Sequence, residues 1–90
     1  EAAGPVEPDL VRLDEVARRG GGTVEVRRIA EHVQLDPTLM ADLHKVDAVP
    51  GNLVEVGAQA RANHPVVLSG RGAKVEVSGA LAHAVMGRRR

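Results

Sequence analysis

The 90-residue chain contains no Phe, Tyr, Trp or Cys. Without aromatic rings it has no platform on which the bases of a single strand stack and no cage for a quaternary ammonium. Without cysteine it has no disulfide, no thiolate metal ligand and no thiol nucleophile, a composition that accords with a reducing compartment and sets the expectation of a cytoplasmic protein. Net charge is missing as well, since 12 Lys and Arg balance 12 Asp and Glu. No overall field therefore draws the chain to a nucleic-acid backbone or an anionic membrane, and direct DNA binding by this chain is not expected. No apolar run approaches the roughly 20 residues that span a bilayer, and no signal-peptide layout is visible. The chain begins at Glu1 rather than Met, which sets the expectation of a domain belonging to a longer polypeptide.

What is present is short and aliphatic. Val and Ala supply 28 residues, Leu 8, Met 2 and Ile 1, so the core is thin and built from small side chains. Residues 1–9, with Pro5, Pro8 and three acids, read as an extended linker with little to bury. The domain proper is placed at residues 10–90. Within it, Thr23 to Ile29 alternates Val24 and Val26 with Glu25 and Arg27, the period-2 mark of a half-buried strand, and the alternation fails at Arg28-Ile29. Asn52 to Val56 and Lys74 to Ser78 repeat the pattern. Leu10 to Leu13, Pro65 to Leu68 and Ala84 to Met86 are further strand candidates, with Gly20-Gly21-Gly22 and Ser69-Gly70-Arg71-Gly72 as turns. Short strands separated by Gly- and Pro-marked turns predict an all-β fold, a small barrel or sandwich rather than a βαβ sheet.

One longer helix interrupts the strands, over about residues 37–47. Asp36 is its N-cap and Pro37 its first position, where a missing N–H costs nothing. Leu35 and Met40 are placed for a hydrophobic staple. Leu39, Met40, Leu43 and Val46 share a face that closes on the barrel like a lid, and Pro50-Gly51 ends the run. Asp14 to Arg19 and Gly79 to His83 are candidate single helical turns.

Glu31-His32-Val33-Gln34 is the candidate site. In a helical turn Glu31 and Gln34 converge as an i, i+3 pair. A carboxylate and an amide carbonyl are hard oxygen donors suited to Mn²⁺ or Fe²⁺, but two ligands alone make a poor site, and the spacing by itself favours a solvated polar turn. The histidines at 32, 44, 64 and 83 show no metal-binding spacing, and His32 is the one that adjoins the candidate turn. Ser69 has no neighbouring base, and the glycine turns lack the spacing of a phosphate loop, so no catalysis is expected. Arg88-Arg89-Arg90 reads as a solvated tail, and the last strand as short or frayed.

Val11-Arg12-Leu13, the run from Val24 to Asp36, the helix into Val49-Pro50, and Leu81-Ala82-His83-Ala84-Val85 together resemble a known module. They are similar to the C-terminal SH3-like (FeoA-type) domain of iron-dependent repressors of the diphtheria toxin repressor family. The resemblance implies a small SH3-like barrel in a metal-dependent transcriptional repressor. It implies that Glu31 and Gln34 contribute to an ancillary Fe²⁺ or Mn²⁺ site. The other ligands of that site would sit on the metal-binding and dimerisation domain of the same polypeptide. A proline-containing interdomain segment is a further implied partner, although this chain has no aromatic groove for it. DNA is reached only through an N-terminal domain that is not among these residues, and no membrane is involved. The alternative is a stand-alone FeoA-like interaction module linked to ferrous iron transport.

Overall fold

The computed structural model describes residues 10–59, 61 and 64–90; the expected linker, residues 1–9, lies outside them. Six strands, β1 (Leu10–Arg12), β2 (Gly22–Ile29), β3 (Leu53–Val56), β4 (Val66–Gly70), β5 (Ala73–Val77) and β6 (Val85–Arg89), form one sheet. Its order is β1-β6-β2-β3-β4-β5, with every neighbouring pair antiparallel. Four short helices join them: α1 (Leu13–Arg18), α2 (Glu31–Gln34), α3 (Pro37–Lys45) and α4 (Gly79–His83). The mostly β fold expected from the strand pattern, and the SH3-like form implied by the resemblance, are the architecture observed.

Alternation puts Val24, Val26, Val54, Val56, Val66 and Leu68 on one buried face. Leu13 and Val16 of α1, Leu43 of α3 and Leu81 of α4 cover that face. The failure of alternation in β2 is a β-bulge: Val26 faces Gly87 and Arg28 faces Met86, leaving Arg27 as the extra residue. The bulge reverses the phase, so Ile29 is buried three positions after Val26.

Several sequence expectations are corrected. Leu13 opens α1 instead of closing β1 and is fully buried. Helix α3 stops at Lys45, short of the expected 47, because Asp47 adopts a left-handed conformation (φ 57°). Its amide and that of Ala48 return to the carbonyls of His44 and Leu43, at 3.1 and 2.8 Å. The staple does not form. Leu35 has helical dihedrals as the C-cap of α2, which turns its side chain outward to 75% exposure. The N-cap itself is as expected, with the Asp36 carboxylate accepting from the amides of Thr38 and Leu39 at 3.0 and 3.2 Å. Ser69 and Gly70 belong to β4, and the turn is only Arg71-Gly72, both at positive φ, in a two-residue hairpin.

The largest correction concerns the basic C-terminus. β6 is neither short nor frayed, and it runs to Arg89 between β1 and β2, with Arg88 facing Glu25 and Arg89 facing Val24. The Arg90 amide donates to the Thr23 carbonyl at 2.9 Å, and its guanidinium lies 3.6 Å from Glu25. Gly87 makes this close passage possible, because a Cβ there would collide with the Glu25 carbonyl and the Val24 side chain. A central strand with partners on both edges holds its backbone whatever the charge of its side chains.

Candidate functional site

The bulge in β2 and the turn that follows it build a cleft of about 460 Å³. After Ile29 the chain is anchored by the Ala30 amide, which donates to the Ala84 carbonyl at 2.9 Å. Helix α2 then starts at once, so Glu31 and Gln34 lie one helical turn apart and both line the cleft. The opposite walls come from distant sequence, with Met86 from β6 and Pro50 from the loop after α3. That loop is fixed to β2 by the Gly51 amide, which donates to the Val26 carbonyl at 2.8 Å. Arg27, Arg28, Ile29 and Ala30 complete the lining.

The two candidate donors differ in how they are held. The Gln34 side-chain amide donates to the Ile29 carbonyl at 2.6 Å. This bond fixes the amide orientation and leaves Oε1 as the atom available to a ligand. Glu31 is exposed and its carboxylate has no hydrogen bond or ion pair among the described residues. Arg28 is likewise exposed without an ion pair among them, while Arg27 lies 3.5 Å from Glu25. An unengaged carboxylate and an oriented carbonyl fit a hard divalent cation. No group of three or more His, Asp or Glu able to hold a metal occurs among the described residues. A cation held by these two donors would need ligands from elsewhere, and beside the guanidinium groups of Arg27 and Arg28 those would have to be anionic.

His32 is exposed on α2 but does not line the cleft. His83 is the histidine with a built environment. Its Nδ1 lies 3.1 Å from Asp14 Oδ2, which also accepts from Arg18 at 3.2 Å, and its carbonyl accepts from Arg12 at 2.7 Å. Asp14, with 8% of its surface exposed, is the buried acid of the domain. Sequence reasoning missed Arg28, Pro50 and Met86 as cleft residues. The break in alternation at Arg28 is the signal that marked one wall, and no local pattern marks the other two.

Six antiparallel strands in this order, with short helices at the crossings, define a small SH3-like module. The model of the FeoA domain matches residues 11–89, and the chain belongs to the FeoA domain family. It is similar to a crystal structure of an iron uptake regulatory protein (FeoA), with a TM-score of 0.69 at 22% sequence identity. The alignment covers 90% of this chain and 99% of that one. A search of curated proteins gives no match. Among the described residues no helix is long and apolar enough to cross a membrane.

Proposed function

We propose that this chain is a regulatory domain of a metal-dependent repressor of the diphtheria toxin repressor type, without catalysis of its own. It lends Glu31 and Gln34 to an Fe²⁺ or Mn²⁺ site whose remaining ligands belong to the metal-binding and dimerisation domain of the same polypeptide. The observation that carries this reading is the pairing in one cleft of an unengaged Glu31 carboxylate with a Gln34 carbonyl oriented by Ile29. A metal at a junction couples docking to ion binding, so each strengthens the other by the same free energy. DNA is then contacted by another domain, in line with the balanced charge of this one.

The test is titration of the full polypeptide with Mn²⁺ by calorimetry. Glu31→Ala and Gln34→Ala should each weaken one class of site by about tenfold or more while a second class is unchanged. Wild-type affinity at every site in both variants would overturn the assignment.

A second reading is favoured by one observation: the alignment covers 99% of the crystallised chain of the similar iron uptake regulatory protein, which holds this fold with little else attached. Here the same cleft receives an acidic or metal-bearing surface of a transport protein. Immunoblotting of source cells distinguishes the two. A band well above 9.5 kDa supports the repressor, and a band at that size supports the free module.

A further inference from the structure

Strand β5 is an edge of the sheet: among the described residues it pairs with β4 and with no other strand. In a two-residue hairpin the residues flanking the turn close it as a hydrogen-bonded pair, here Gly70 and Ala73. By alternation, Val75 and Val77 also direct their backbone groups toward β4, while Lys74 and Glu76 direct theirs away from it. The β4 side agrees, since the Val67 carbonyl, opposite Glu76, is turned to the Gly57 amide at 2.8 Å, on the β3 side. Neither Lys74 nor Glu76 has a turn or loop backbone bond, or a side-chain ion pair, among the described residues. Both side chains are exposed beside a shallow groove of about 290 Å³ that also includes Val67 and Val75.

We propose that the β5 edge pairs antiparallel with β5 of a second copy of this chain, about a two-fold axis through Val75. Charge complementarity selects the register. With the axis at Val75, Lys74 stands directly opposite the second copy's Glu76, and Glu76 opposite the second copy's Lys74. These are the residues whose outward N–H and C=O groups can be exchanged in a hydrogen-bonded pair, so backbone and side chains agree on one alignment. Ala73 then faces Val77, and Val75 faces itself, on the apolar side of the strand. An axis at Lys74 or at Glu76 sets like charges opposite each other. This contact shares no residue with the α2 cleft and does not depend on a metal there.

Sedimentation equilibrium of the 90-residue chain at low salt tests the proposal. The wild type should dimerise reversibly with concentration, and more weakly as salt is raised. Lys74→Glu and Glu76→Lys each turn both symmetry-related pairs into like-charge pairs and should weaken the dimer by about tenfold or more. The double variant Lys74→Glu/Glu76→Lys restores complementarity in the same register and should recover the wild-type constant. All three changes are on the exposed face, and far-UV circular dichroism should be unaltered. A wild type that stays monomeric at millimolar concentration overturns the proposal. So does a dimer indifferent to the single changes, or one that the double variant fails to recover.

Discussion

Two polar clusters lie on either side of the Ala84 to Ala30 backbone bond, and they differ in how far their charges are engaged. At the corner of α1 and α4, Asp14 is buried and takes both Arg18 and His83, while Arg12 holds the His83 carbonyl. At the α2 cleft, Glu31 and Arg28 line one cavity without ion pairs among the described residues, and only the Gln34 amide is tied down. The first cluster joins two helices within the domain. The second leaves donors that, under the proposed function, would serve a ligand from outside the domain. Charges engaged internally support the fold, whereas the unengaged Glu31 and Arg28 are the groups that the proposed function assigns to a contact outside the domain.

That comparison breaks first at the strand linking the two clusters. Gly87→Val sets a branched side chain against the Glu25 carbonyl and Val24. The expected loss is about 3 kcal/mol or more in denaturant unfolding, with both clusters lost together. Next is Asp36→Ala, which removes the cap of α3 and should cost about 1 kcal/mol by the same measurement. Asp14→Ala releases Arg18 and His83 to solvent. Its cost is also about 1 kcal/mol, held down because Asp14 Oδ1 is buried without a partner and both released groups are largely exposed, 60% for the His83 side chain. Smallest is Glu31→Ala, expected within about 0.5 kcal/mol of the parent, since no contact inside the domain is lost. A large destabilisation from Glu31→Ala combined with none from Asp14→Ala would reverse the assignment of the two clusters.

The difference between the clusters also tracks what was legible in the sequence. Local signals served well. Alternation located β2, β3 and β5, Asp36-Pro37 located the start of α3, and Gly79 to His83 proved to be α4 with Ser78 as its cap. The turn carrying Glu31 and Gln34 was legible because a failing strand runs into a capped helix. What sequence did not show depends on contacts between distant segments. Asp14 is buried because α4 packs on α1, and Pro50 and Met86 reach the cleft through the β2 bulge and the central position of β6. Arg88 and Arg89 looked like a tail because three successive arginines carry no strand signal, and only pairing with β2, joined at Arg88 by pairing with β1, holds them in the sheet. Leu35 looked like a staple because spacing alone does not reveal that α2 ends on it in a helical conformation.

The most direct test of the central claim is thermal unfolding of the full polypeptide with and without Mn²⁺, for the parent, Glu31→Ala and Asp14→Ala. Metal that binds only the folded state raises the Tm. The account predicts that Glu31→Ala keeps the metal-free Tm and loses the part of the Mn²⁺ increment that this site supplies, while Asp14→Ala lowers the metal-free Tm and keeps the increment. A Glu31→Ala variant with the full Mn²⁺ increment would contradict it.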